Sequence, residues 1–300
     1  RNAMKGSVIP VYSGLPTVLK ENGYYNLFFM THEGQYDNMN AFFRTNGYDE
    51  VFSQEDYPAD KVVNSFGVQD DFLYDYAIPV LNQRAATGQP FFATLLSISN
   101  HPPYVIPPFF HPKTSEPETQ IVEYADWALR QFFEEARKQP WFDNTIFVLE
   151  GDHGKLVGDA ECELPESYNH IPLMIYSSRI QPEEKTTFGG QVDIQPTILG
   201  LLNIDYLQNN FGVDLLKEER PCMFYTADNM VVGRNDTLLY LYNYETQQEL
   251  TYDIGNGKLN AVPMDDSFLP LKEYSFSMLQ SAEFLVKHGK TLNSIPFTQQ

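Results

Sequence analysis

Apolar residues recur along the first two thirds of the chain in two alternating ways: short unbroken runs, and longer stretches spaced three and four apart. Residues 15–23 carry proline in a first turn and glycine at the stop, which predicts a helix. The run at 25–30, YNLFFM, reads as a buried strand ending at Thr31-His32. Residues 36–43 read as a helix closed at Gly47, and 65–87 as a long helix interrupted or ended near Pro79. A second apolar strand over 91–97 runs out at Asn100-His101, where the following prolines enforce a loop. The clearest helix spans 119–138, with Ile121, Ala125, Ala128, Phe132 and Ala136 on one face. A turn at 141–144 leads into a third strand over 145–149, which ends at Glu150-Gly151-Asp152-His153-Gly154. A fourth strand covers 171–176, and a helix with Pro196 in its first turn covers 193–202.

Beyond about residue 218 the pattern changes. Segments 223–225, 230–232, 237–242 and 250–253 are short, β-like and separated by turn residues, and 270–287 reads as a closing helix. The expected fold class is therefore α/β. A mostly parallel sheet sandwiched by helices occupies 1–217, and a small β-rich subdomain with its closing helix occupies 218–300. Parallel α/β sheets build their sites beyond the carboxyl ends of the strands. Three predicted strands end in a histidine, His32, His101 and His153, in a chain with only six histidines. That is the pattern a site at one sheet edge would produce.

Composition narrows the function. With 42% hydrophobic residues, 22 Phe and 19 Tyr, the chain has ample material for a core and no signature of disorder. A formal net charge of −20 excludes sequence-independent nucleic-acid binding and adsorption to an anionic membrane surface. No apolar run is long enough to span a bilayer, and the first residues lack the basic and apolar regions of a signal peptide. Neither point locates the protein. Two cysteines, Cys162 and Cys222, allow one disulfide or two thiols. No Gly-x-Gly-x-x-Gly follows a strand and no phosphate-binding loop with lysine is present, which sets aside a nucleotide-binding domain.

The chemistry gathers at strand ends. In Gly151-Asp152-His153-Gly154, a carboxylate and an imidazole on adjacent residues can reach one cation if the backbone bends sharply, which the glycines permit. An oxygen and a nitrogen donor suit Zn²⁺ or Mn²⁺ better than Ca²⁺. Read alone, the dipeptide is equally a turn with two surface side chains. His170, in Tyr168-Asn169-His170-Ile171-Pro172, precedes a strand, and His101 precedes two prolines. Either ring can donate to a phosphate oxygen, and either by itself is an ordinary loop histidine. His111 and His288 lack such context and read as surface residues.

Taken together, three segments resemble the sulfatase branch of the alkaline phosphatase superfamily: Gly151-Asp152-His153-Gly154, Asn169-His170-Ile171-Pro172-Leu173, and Gly190-Gln191-Val192-Asp193-Ile194-Gln195-Pro196-Thr197. Within it, Ser13-Gly14-Leu15-Pro16-Thr17, Tyr36-Asp37-Asn38-Met39 and Gly47-Tyr48-Asp49 resemble lipoteichoic acid synthases and their phosphoglycerol-transferase relatives. The resemblance runs over roughly residues 5–217. It implies a metal-dependent phosphoryl-group transferase or hydrolase, with Asp152 and His153 as ligands of a divalent metal, Mn²⁺ or Zn²⁺ with Mg²⁺ admitted. It implies that His101 contacts the substrate phosphate, that His170 lies near the phosphate or a second metal, and that His32 lines the cleft. The Asp193 segment is structural in that family.

The resemblance also implies a threonine nucleophile and a further carboxylate ligand, both earlier than residue 1. Ser13 and Thr17 match a later helix and do not substitute for them. A chain without these groups is expected to be inactive alone. A phospholipid or glycan headgroup as substrate, an extracytoplasmic location and anchoring by N-terminal membrane helices are implied in the same way. In lipoteichoic acid synthases a Trp and an Arg grip glycerol phosphate in the region that here reads Tyr36-Asp37-Asn38-Met39-Asn40, with neither aligned. A phosphoethanolamine transferase or a sulfatase on the same scaffold stays open for that reason. A non-catalytic binding domain is the remaining alternative, against which the adjacent Asp152 and His153 argue.

Overall fold

In the computed structural model, residues 4, 9–156, 158–227 and 229–292 are described. The chain divides into two compact units, Arg1–Thr145 and Ile146–Gln300.

The first unit is a layered α/β structure. Its elements are α1 (Leu15–Glu21), β1 (Tyr25–Met30), α2 (Met39–Thr45), β2 (Glu50–Phe52), β3 (Val62–Asn64), β4 (Gly67–Val68), α3 (Asp70–Ala85), β5 (Phe91–Leu96) and α4 (Pro117–Ala136). The apolar run of β1 makes it the centre of a parallel sheet, ordered β2-β1-β5. Leu27, Phe29 and Met30 are fully buried, as an unbroken apolar strand covered on both faces requires. Register aligns Tyr25 with Phe91 and Met30 with Leu96. Asn26, buried at the start of β1, donates to the carbonyls of Pro16 and Gly47 and so ties α1 and the turn before β2 to the sheet.

Helix α3 begins at Asp70, five residues later than the sequence predicts, because Gly67 is needed elsewhere. It takes φ +89° in a β3–β4 hairpin whose backbone presses on the end of β1, and a Cβ there would lie 1.7 Å from the Thr31 carbonyl oxygen. Pro79 is carried inside α3 and does not end it. On α4 the buried face is Ile121, Tyr124, Ala128, Phe132 and Ala136, with Tyr124 where the pattern suggested Ala125.

The second unit contains β6 (Phe147–Glu150), β7 (Leu173–Tyr176), α5 (Ile194–Leu201), β8 (Met223–Ala227), β9 (Met230–Arg234), β10 (Leu238–Asn243), β11 (Gln248–Asp253), β12 (Asn260–Ala261) and α6 (Leu269–Lys287). Here the expectation of parallel strands fails: β6 and β7 pair antiparallel. The physical reason lies in the connection. A parallel return needs a crossover layer, usually a helix, whereas among the described residues of 151–172 the short turn Glu166–Tyr168 is the one helical element.

The β-like segments beyond residue 218 form one antiparallel sheet, ordered β12-β11-β10-β9-β8. Alternation along β10 covers both faces. Leu239 and Leu241 pack with Leu164, Val232 and Tyr252, while Tyr240 packs with Phe268 and Leu271 of the α6 region. Helix α6 approaches β9 at Gly233, where a Cβ would lie 2.5 Å from Ser275 Oγ. Cys162 and Cys222 are both free thiols. Among the described residues no helix is long and apolar enough to cross a membrane.

Candidate metal and phosphate site residues

In the first unit, His32 and His101 follow the carboxyl ends of the neighbouring parallel strands β1 and β5. His32 is buried, with Nδ1 3.1 Å from the Glu33 carbonyl oxygen, and its ring lies 4.8 Å from that of Tyr36. His101 is exposed, and its ring lies 4.2 Å from Phe66, which in turn faces Tyr36 at 6.2 Å. The two imidazoles are thus linked by a strip of aromatic rings. Asp37 and Asn38, beside Tyr36, both take left-handed φ (49° and 62°). Such backbone costs a non-glycine residue roughly 1–3 kcal/mol and persists where its surroundings hold it.

His101 Nδ1 is 2.7 Å from the Pro102 carbonyl oxygen. A carbonyl only accepts, so Nδ1 carries the proton in that bond, and Nε2 donates to a ligand only when the ring is protonated. Desolvation by itself would raise the Glu55 carboxyl. Hydrogen bonds from Ser53 Oγ and the Gly34 N–H, with His32 nearby, hold it below the usual carboxylate value. Arg44, the one basic residue between His32 and Gly47, is directed to Asn40 Oδ1 (2.8 Å) and the carbonyls of Asp49 and Val51 (3.4 Å each). Thr17 Oγ1 is committed to the start of α1, accepting from the Gly14 N–H and donating to the Gly14 carbonyl, both at 2.8 Å.

In the second unit, Asp152 and His153 follow β6. The β6–β7 register sets Glu150 opposite Leu173 and so brings Gly151-Asp152-His153-Gly154 to the same end of the pair as His170-Ile171. The glycines act through contact. A Cβ on Gly154 would lie 1.9 Å from the Ser167 carbonyl oxygen, and its N–H donates to the Tyr168 carbonyl at 2.8 Å; a Cβ on Gly151 would meet Ile171 Cγ2 at 3.2 Å. The His170 backbone N–H donates to the Glu166 carbonyl at 2.8 Å, which closes the turn before β7.

Asp152 Oδ2 and His153 Nε2 face one another at 3.6 Å, with both side chains largely exposed. Two metal bonds of about 2.1 Å at a tetrahedral angle set their donors about 3.4 Å apart, so this pair fits one cation. The tautomer agrees. His153 Nδ1 lies 2.8 Å from the Gly154 carbonyl oxygen and must donate to it, which leaves Nε2 as the donor atom for a metal. Loss of solvent, and secondarily the charge of Asp152, hold the neighbouring Glu150 carboxyl above its ordinary value. His170 does not complete a set: among the described residues no three His, Cys, Asp or Glu side chains converge to hold an ion.

Two residues of this region have no signal in the periodicity. Gln191 Nε2 donates to the carbonyls of Gly151 (3.1 Å) and Asp152 (2.9 Å). Arg220 pairs with the fully buried Asp193 at 2.5 Å. Asp193 also accepts from the backbone N–H groups of Gly190 and Val213, both at 2.8 Å, so it anchors structure. Gln191 lies inside the quoted Gly190–Asp193 motif, which was a pointer to it; nothing in the sequence marks Arg220.

The parallel α/β layer of the first unit, with imidazoles beyond its strand ends, and the glycine-flanked Asp-His loop of the second are features of the alkaline phosphatase-like fold class. A family model described as Sulfatase matches residues 4–204, and the chain belongs to that family. Among curated relatives, lipoteichoic acid synthase 1 of Bacillus subtilis is 26% identical over 82% of the chain and 40% of its own length. The chain thus spans well under half of that relative. A solved structure of an alkaline phosphatase superfamily protein from Vibrio parahaemolyticus covers 97% of the chain at TM-score 0.80 and 25% identity, with 71% of that protein covered. The structure of the lipoteichoic acid synthase LtaP from Listeria monocytogenes covers 95% at TM-score 0.80 and 22% identity, with 75% of that chain covered, a likeness of fold. The lipoteichoic acid synthases among the relatives are enzymes by name.

Proposed function

We propose that the chain supplies the metal-binding and phosphate-binding residues of a divalent-metal-dependent phosphoryl-group transferase or hydrolase of phosphoglycerol-transferase type. The observation that carries this reading is the opposed Asp152 Oδ2 and His153 Nε2, at a spacing that suits two bonds to one cation. Asp152 contributes a fixed negative charge, and His153 a nitrogen whose tautomer is set by the Gly154 carbonyl. A cation bound there would neutralise charge on phosphoryl oxygens and ease deprotonation of the attacking hydroxyl. His101, protonated, donates from Nε2 to a phosphoryl oxygen, a charge-assisted bond that strengthens as charge builds there. His32 holds the aromatic strip from below, and His170 serves the phosphate or a second cation.

In this reading, which follows the resemblance, the attacking group is a threonine supplied from outside residues 1–300; Thr17, bonded to the start of α1, does not stand in for it. The substrate is a phospholipid or glycan headgroup, handled on the extracytoplasmic side by an enzyme anchored through N-terminal membrane helices. Mn²⁺ or Zn²⁺ suits the donor pair, and Mg²⁺ is admitted.

One observation favours a second reading of the headgroup. Arg44 is turned to the edge of β2, and no other base lies between His32 and Gly47 to hold glycerol phosphate. Phosphoethanolamine or a sulfate ester then takes its place.

The test is turnover of bis-p-nitrophenyl phosphate with Mn²⁺ or Zn²⁺. The chain alone is expected to run at background. Metal-dependent turnover that disappears in Asp152→Ala would show that this chain holds its own nucleophile and would overturn that part of the proposal.

A further inference from the structure

Asp152 and His153 sit on a loop without regular structure, and their side chains are 76% and 72% exposed. Packing does not orient them, so the backbone must. The carbonyl of Asp152 belongs to the peptide plane that joins the two residues. Holding two successive peptide planes fixes φ and ψ of the residue between them, and with them the direction of its Cα–Cβ bond.

Gln191 does this from about forty positions away. Its side-chain nitrogen carries two N–H groups, and it directs them to the carbonyls of Gly151 and Asp152 at 3.1 and 2.9 Å. Gln191 is itself braced. It opens the turn Gln191–Asp193, whose fully buried Asp193 carboxylate accepts from the Gly190 N–H and is paired with Arg220. The turn anchored by the Asp193–Arg220 pair thus reaches, through one amide, the peptide that carries the candidate ligands.

We propose that Gln191 is a positioning residue for the Asp152–His153 cation site, an inference that rests on the metal-binding reading given above. Its role is geometric. Without Gln191, the two carbonyls are exposed and find water, so stability changes little, whereas a ligand pair held by an outer partner loses metal affinity when that partner goes.

The experiment follows the backbone amides of Asp152, His153 and Gly154 in the ¹⁵N-labelled chain while Mn²⁺ is added, and reads their paramagnetic broadening. Gln191→Ala, and Gln191→Leu which keeps bulk without donors, should raise the Mn²⁺ concentration for half-broadening about 10-fold. Both variants should keep the wild-type unfolding midpoint and exchange the Gly154 amide faster. Asp152→Ala should abolish the local broadening. Unchanged Mn²⁺ dependence in the Gln191 variants, with Asp152→Ala silent, would overturn this inference and leave the metal site standing. Broadening that survives Asp152→Ala would remove the metal site, and this inference with it. A lowered unfolding midpoint in both Gln191 variants would assign Gln191 to stability and refute the positioning role.

Discussion

Replacing Arg220 by methionine tests the reading that Asp193 is an anchor. Asp193 is 0% exposed, and its carboxylate takes Arg220 Nε at 2.7–2.8 Å and Nη2 at 2.5 Å, besides two backbone N–H groups at 2.8 Å. Arg220 also donates to the Phe211 carbonyl. Removing the guanidinium leaves a buried anion with only two neutral donors, and breaking a buried pair from one side costs about 3–5 kcal/mol. At 1.4 kcal/mol per factor of ten, that is roughly 10²- to 10⁴-fold in the opening equilibrium.

Both tryptophans, Trp127 and Trp141, belong to the first unit, so their fluorescence does not follow this event. Native-state hydrogen exchange at the Gly190 and Val213 amides does, because both are bonded to Asp193. The double variant Asp193→Asn/Arg220→Met removes both charges and should recover most of the loss, with a coupling of about 2–3 kcal/mol. Exchange in Arg220→Met within tenfold of wild type, or a double variant no better than the single, would refute the argument that an uncompensated buried charge sets the cost.

Three further substitutions probe the first unit, where tryptophan fluorescence is the reporter. Burial holds the Asp70 carboxyl above its ordinary value of 3.8, against the pull of the Ile98 and Ser99 N–H groups. The folded state therefore keeps this proton more tightly than the unfolded chain, so the ionised form costs stability at neutral pH, and that cost is relieved as pH falls through the raised value toward 3.8. Asp70→Asn keeps the Oδ1 acceptor and should be at least as stable as wild type in urea at pH 7, with an advantage that shrinks on acidification; a gap that widens instead contradicts the sign. Gly88→Ala, at φ +75° with open space around its Cβ position, should cost about 1 kcal/mol. Gly67→Ala adds a backbone clash at 1.7 Å and should cost about 3 kcal/mol or more; equal unfolding midpoints for the two would show that the β3–β4 hairpin does not press on β1.

Local patterning along the chain determined a good deal. A short, mostly apolar run that turn residues bound suits a strand covered on both faces, and 25–30 became the central strand of a parallel sheet. The 3.6-residue spacing of α4 and the short alternating segments of β8–β11 were equally legible, because side-chain direction in a helix or strand is set by neighbours a few positions away. So was the candidate chemistry at Asp152 and His153, whose adjacency needs no fold to bring them together.

Tertiary structure alone decided the rest. Strand β2 has three residues, too few for a period, and exists because β1 offers it a partner. Helix α3 starts late because Gly67 is needed against Thr31, a contact between distant segments that leaves no trace in either one's pattern. The antiparallel return of β7 follows from a connection without a crossover layer. Arg220 meets Asp193 across 27 positions, and Gln191 meets the Gly151-Asp152 loop across 40 and 39. Such partners are polar residues on loops and turns. Periodicity registers which face is buried, whereas a hydrogen bond between distant loops depends on where the folded backbone delivers two atoms.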